Sequence, residues 1–236
     1  MRAKPMSPRE RLLAAMRCEQ PDRVPIQVRG VYPTQPKWLA SHHESYRPLL
    51  ELVRDKCDPV HVVGFGGGWY LLDRDALDIR EEKVPVDADW LDLVTTVATP
   101  RGPLTEATRI SLKGDLDYQV RHAIESLDDA EKFLSLRSAP AAPRTDAWFA
   151  AVREVGDCAL PLADIGWNPV GMLHTLMGSE TLAMWSATER EAVCALLAAV
   201  TKRWHDYVAH ILDAGVSGVF TTLGHEVALP PLLSPE

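Results

Sequence analysis

Four short apolar runs, Val24–Val28, Val60–Val63, Ala159–Ile165 and Val216–Thr222, are separated by segments with helical apolar spacing. That alternation constrains the fold more than any other feature. Strands that run in the same direction need a crossover, usually a helix, so strand–helix alternation favours a parallel sheet. The helical segments have readable ends. Ser7-Pro8-Arg9-Glu10 combines a capping hydroxyl, a proline at the first helical position and the glutamate of a capping box. Leu12, Leu13 and Met16 then supply an apolar face, and Pro21 ends that helix. Leu49, Leu50, Leu52 and Val53 mark a second helix, and Ser126-Leu127-Asp128-Asp129 opens a third. Trp148, Phe149, Val152 and Val155 fit a fourth, closed by Gly156. Gly171–Met177 reads as a short helix ended by Gly178. Thr188-Glu189-Arg190-Glu191 is a capping box for the longest helix, whose apolar positions run from Val193 to Leu212, with Gly215 as its stop.

One segment breaks the alternation. Leu93–Ala98 and Leu104–Ile110 flank Thr99-Pro100-Arg101-Gly102, and proline second with glycine fourth predicts a type I turn and a β-hairpin. Residues 69–90 read as irregular. The 236 residues, 46% of them hydrophobic, suffice for a core without disulfides or structural metal. They fall slightly short of the roughly 250 typical of an eight-unit α/β barrel.

Charge and cysteine usage narrow the function classes. Lys and Arg number 25 against 33 Asp and Glu, a net charge of −8 with no basic run. A nucleic-acid groove needs a positive stripe to displace phosphate counterions, so no nucleic-acid partner is expected. Cys18, Cys57, Cys158 and Cys194 form no CxxC pair and read as reduced thiols. Arg2 and Lys4 precede no apolar run, and no apolar stretch reaches the ~18 residues of a membrane span. The expectation is a cytoplasmic chain without a membrane partner.

Gly64-Phe65-Gly66-Gly67-Gly68 follows a strand, but a dinucleotide fingerprint needs glycine where Trp69 stands. It reads instead as a loop at the mouth of a site. His225-Glu226 lacks the second histidine of a metalloprotease motif, because position 229 is Leu229. His205 and His210 are five residues apart, about 140° around a helix, and do not share an ion. No metal ligands are therefore assigned. In parallel α/β folds the site lies past the C-terminal ends of the strands. The candidates there are Arg29, the Gly66 and Gly67 backbone, Asp164, Trp167, Asn168, Thr222, His225 and Glu226. Arg29 suits a carboxylate fork. Asp164 or Glu226 suits a proton or hydrogen-bond acceptor, and His225 a base or lone metal ligand. The set suits a polar small-molecule substrate.

Ser7-Pro8-Arg9-Glu10-Arg11-Leu12-Leu13-Ala14-Ala15 followed by Pro21-Asp22-Arg23-Val24-Pro25 resembles the opening of the uroporphyrinogen decarboxylase superfamily, which includes cobalamin-dependent methyltransferases. Thr99–Thr105 resembles its inserted hairpin, and Gly171 with Gly178-Ser179-Glu180 resembles its segment after the third strand. Asp213-Ala214-Gly215-Val216-Ser217-Gly218, with Leu232-Leu233-Ser234-Pro235-Glu236, resembles a further stretch. The resemblance implies a (β/α)8 TIM barrel, here truncated to about four strands with an inserted β-hairpin over residues 1–236.

It also implies two chemistries. Decarboxylases of the family hold tetrapyrrole carboxylates on an arginine-rich loop and use an aspartate after the second strand. Only Arg29 matches that loop, and glycines stand where the aspartate belongs. The methyltransferase branch uses zinc to activate a thiol, or exchanges methyl groups with a corrinoid protein. Its zinc motif lies beyond Glu236, so zinc and a corrinoid are expected only of a longer protein. Methyl transfer is the leading expectation. Porphyrin-pathway decarboxylation and an inactive or partner-binding remnant are the alternatives. Open barrel edges predict self-association.

Overall fold

The computed structural model describes residues 5–35, 38, 40–137 and 139–224. The described order begins with α1 (Pro8–Met16), a 3-10 turn (Glu44–Tyr46), α2 (Arg47–Lys56) and β1 (Val60–Gly64). Two more 3-10 turns follow, Trp69–Leu71 and Arg74–Ala76, and then β2 (Ile79–Pro85), β3 (Trp90–Thr99), β4 (Gly102–Ser111) and β5 (Tyr118–Arg121). The chain continues through α3 (Leu127–Ser135), α4 (Asp146–Val155), β6 (Leu160–Trp167), α5 (Pro169–Thr188), α6 (Arg190–Asp213) and β7 (Val219–Leu223).

These strands form a three-stranded parallel sheet, β1-β6-β7, and a separate four-stranded antiparallel sheet, β2-β3-β4-β5. The arrangement is mixed α/β and corrects the expected (β/α)8 barrel. Two local causes are visible. Val24–Val28 forms no strand. Pro25 removes one N–H, and Ile26 uses both backbone groups on Asp58: its N–H donates to Asp58 Oδ2 at 2.9 Å and its carbonyl accepts from the Asp58 N–H at 2.7 Å. Residues 79–121 are then spent on an antiparallel meander rather than a strand–helix unit. The expected hairpin is its centre, with Thr99 paired to Gly102 across the turn and Trp90 paired to Ser111 at the far end.

The chain divides into two compact units, Met1–Phe65 with Arg144–Ile165 and Leu212–Thr221, and Gly66–Pro143 with Gly166–Ile211 and Thr222–Glu236. In the first unit, β1 and β6 pair from Val60 with Leu160 to Gly64 with Asp164. Side chains alternate between sheet faces, so Val60, Val62, Leu160 and Leu162 share one face. Leu12 and Leu13 of α1 cover them, joined by Val219. On α1, Ser7 and Glu10 form the expected capping box, at 3.2 and 2.8 Å. α4 packs against β1, and its Trp148 meets Phe65 with ring centroids 6.3 Å apart.

A buried ionic cluster holds α1 to the start of β1. Asp58 is fully buried, and Arg11 is 5% exposed. Asp58 accepts from Arg11 Nη1, from Arg23 Nη1 and Nη2 at 2.8 and 2.9 Å, and from the Ile26 N–H. Arg11 also grips Asp22, Nε to Oδ1 at 2.5 Å and Nη2 to Oδ2 at 3.0 Å, while its Nη2 reaches the Met6 carbonyl. The Met6 N–H donates to Asp22 Oδ2 at 2.9 Å. The motif residues Arg11, Asp22 and Arg23 thus do structural work.

In the second unit, α3 lies on β3 and β4, burying Phe133 against a core that includes Val97, Leu104 and Ile124. α5 and α6 add Leu173, Leu176, Leu182, Leu196 and Val200 to the buried set. No helix of the described residues is long and apolar enough to cross a membrane.

Removing one member of a buried ion pair strands its partners, at about 3–5 kcal/mol. Asp58→Asn should therefore lower unfolding free energy by about 3–5 kcal/mol in urea titrations, without changing the antiparallel sheet's contacts. The Arg11 guanidinium holds the Asp22 carboxyl well below the ordinary carboxylate range. A carboxyl with a depressed folded pKa contributes stability above its unfolded value and loses it as pH falls toward the folded one. Circular dichroism on acidification should show unfolding below the ordinary carboxylate range, and Asp22→Asn should flatten that acid limb.

Candidate functional site

The strand ends place the predicted residues unequally. Arg29 is exposed in a turn with Gly30. Asp164, half-buried, closes the β1–β6 register opposite Gly64, on the sheet face that Leu160 and Leu162 share. His225 and Glu226 lie outside the described residues, as does the terminal Ser234-Pro235-Glu236.

Trp167, Asn168 and Thr222 come together in the second unit. The Thr222 hydroxyl donates to the Gly166 carbonyl at 2.8 Å, and the Asn168 N–H donates to the Leu223 carbonyl at 2.8 Å. Asn168 is also the N-cap of α5: its Oδ1 accepts from the Gly171 N–H at 2.8 Å, with Pro169 at the first helical position. Trp167 is 38% exposed, and its indole lies on two glycines. A β-carbon at Gly171 would stand 2.6 Å from Trp167 Cε3, and one at Gly224 2.7 Å from it. Thr222 and Asn168 are thus engaged with backbone, and Trp167 is the side chain presenting an aromatic surface to solvent.

Gly66 and Gly67 lie in an exposed loop. The hydroxyl of Tyr207, on α6 and fully buried, donates to the Gly66 carbonyl. A β-carbon at Gly66 or Gly68 would meet no atom within 4 Å, and both have positive φ, 80° and 114°. The run supplies backbone shape rather than close approach of another chain segment.

The structure adds residues that the strand-end rule does not select. Directly after the glycines, the Trp69 indole N–H donates to Glu106 Oε1 at 3.2 Å. The other carboxylate oxygen, Oε2, is buried without a partner among the described residues. Burial pushes the Glu106 pKa up, partly offset by the Trp69 hydrogen bond and by the charges of His122 and Arg74. Burial, then the Glu106 charge, raises that of Tyr70. The signal was in the strand parity: Glu106 is two residues from Leu104 on β4, so it faces the same side as a fully buried leucine.

His122 lies beneath the break in α5. Its Nδ1 donates to the Thr175 carbonyl at 3.0 Å. α5 is interrupted at Gly178 (φ 74°, ψ 164°), where a β-carbon would stand 2.6 Å from His122 Nε2. Past the break, Ser179 Oγ and His174 Nε2 are 2.8 Å apart. Burial, then His122, lowers the His174 pKa.

Compared with known proteins, the chain matches no family model, no curated protein and no solved structure.

Gly178→Ala should cost about 2–4 kcal/mol, combining a left-handed backbone with overpacking against His122. Thermal unfolding checks the loss, and Gly178→Ala with His122→Ala should recover part of it.

Proposed function

We propose that this chain is an enzyme of the uroporphyrinogen decarboxylase-like kind, in the methyl-transferring branch, acting on a small polar molecule. The observation that carries the reading is the ionic cluster in which exposed Asp22 and Arg23 close on buried Arg11 and Asp58. Arg11, Asp22 and Arg23 belong to the opening segment that carries the resemblance, and they meet through one another and Asp58, beside the Ser7–Glu10 capping box. Chance likeness along a sequence gives no reason for such a meeting.

The branch follows from two departures. Decarboxylation of a polycarboxylate needs several cations to hold the substrate, and Arg29 stands by itself in its turn. Glycines occupy the place after β1 where an acid would be required. Trp167 offers a stacking surface for a flat or apolar substrate portion. The described residues contain no group of three or more His, Cys, Asp or Glu side chains that could hold a metal ion, so they do not fit zinc and no step is routed through it. A corrinoid protein is the proposed partner for methyl exchange.

The test is incubation of the protein with methylcobalamin and a thiol, following loss of the methylcobalamin spectrum and methyl thioether by mass spectrometry. Methyl transfer is expected, with Trp167→Ala lowering kcat/KM about tenfold, the equivalent of roughly 1.4 kcal/mol of lost aromatic contact. Carbon dioxide release from a carboxylated tetrapyrrole, without methyl transfer, would instead establish the decarboxylase reading.

A further inference from the structure

Glu106 is an acid placed where a structural residue of its position would be apolar. It shares the inner face of β4 with Leu104, which is fully buried, and pairs in register with Thr95 of β3, itself 8% exposed. A glutamate kept there for structure would have both oxygens engaged, as nearly all buried polar atoms do. Only Oε1 is engaged, by the Trp69 indole. Oε2 is buried with no hydrogen-bond partner, and no Lys, Arg or His of the described residues forms an ion pair with Glu106.

The groups facing it from neighbouring elements are few. Trp69 and Tyr70 come from one 3-10 turn, Arg74 from the next, His122 from the stretch after β5, and Thr95 from β3. Trp69 directly follows Gly66-Gly67-Gly68, an exposed loop with open space at Gly66 and Gly68. The carboxylate that carries the unpartnered oxygen is thus held, through Oε1, by the residue that directly follows that glycine loop.

We propose that Glu106 is a proton-exchanging site for a small neutral molecule bearing a basic nitrogen or oxygen, which it contacts through Oε2. In the forward step the Glu106 O–H bond breaks and its proton passes to the ligand's lone pair. The electron pair stays on the carboxylate, whose Oε1 the Trp69 N–H continues to hold. The reverse step returns the proton, so no oxidant or further reactant is needed. The upward push of burial on this carboxyl keeps the proton available nearer neutrality than on an exposed glutamate. The proposal stands independently of methyl transfer, and neither readout below uses that reaction.

Dicyclohexylcarbodiimide is a neutral probe of this class. A protonated carboxyl gives its proton to one carbodiimide nitrogen while the carboxylate oxygen bonds to the central carbon, forming an O-acylisourea. The native full chain is treated near neutral pH and mapped by peptide mass spectrometry. In parallel, the Trp69 indole N–H is followed by NMR across pH in wild type and Glu106→Gln, with Trp69→Phe for assignment. The expected result is labelling of Glu106 in preference to exposed Glu81 and Glu131. The Trp69 resonance should titrate above the ordinary glutamate range, and that titration should vanish in Glu106→Gln. Labelling confined to exposed carboxyls, or a Trp69 titration at or below the ordinary range, overturns the proposal. The labelling arm and the wild-type titration hold even if Glu106→Gln does not fold.

Discussion

A carboxylate withdrawn completely from water must have its lone pairs met by donors, because an uncompensated buried charge is among the most destabilising features a fold can contain. Asp58 meets that condition through two arginines and one backbone N–H. Each donor comes from a different stretch of the N-terminal region: helix α1, the turn at Arg23, and the extended residue Ile26. The cluster thereby sets where α1 lies on the sheet face and why the Val24–Val28 segment runs extended without joining a ladder. Desolvation offsets much of the attraction in such a cluster, so losing one partner costs more than the intact cluster contributes.

The parts legible in the sequence are those whose causes are local. Ser7, Pro8 and Glu10 bring their own capping partners within a single turn. Thr99-Pro100-Arg101-Gly102 carries its turn chemistry within four residues, and Gly178 marks the break in α5 by the absence of a side chain. β1 and β6 follow from short apolar runs. The parts that escaped reading depend on distant residues. Val24–Val28 looks like a strand until Asp58 takes the backbone of Ile26. Ile79–Pro85 looks irregular because Arg80, Glu81, Glu82 and Lys83 erase the alternation, yet it is an exposed edge strand paired to β3. The barrel expectation failed for a related reason, since the extent of the antiparallel sheet around the hairpin has no marker in apolar spacing.

The candidate site shows the same division. The rule that strand ends carry function selected Trp167, Asn168 and Thr222, and the structure gathers them. Two of the three spend their polar groups on backbone, which locks the β6–α5 corner rather than reading a ligand. Glu106 was invisible to that rule because it lies in the middle of a hairpin strand. It becomes visible only when strand parity is compared with burial, and a charged side chain is found on the inward side.

The ionic cluster has a consequence for the order of events during synthesis. Arg11, Asp22 and Arg23 leave the ribosome well before Asp58, so the nascent chain carries an incomplete set of partners for a time. Arg11 already has Asp22 within reach, and that pair can hold the first helix to the turn that follows it. Arg23 has no such companion until the residues that start β1 emerge. The ionic part of that segment's docking is therefore complete only once a single aspartate, Asp58, has emerged.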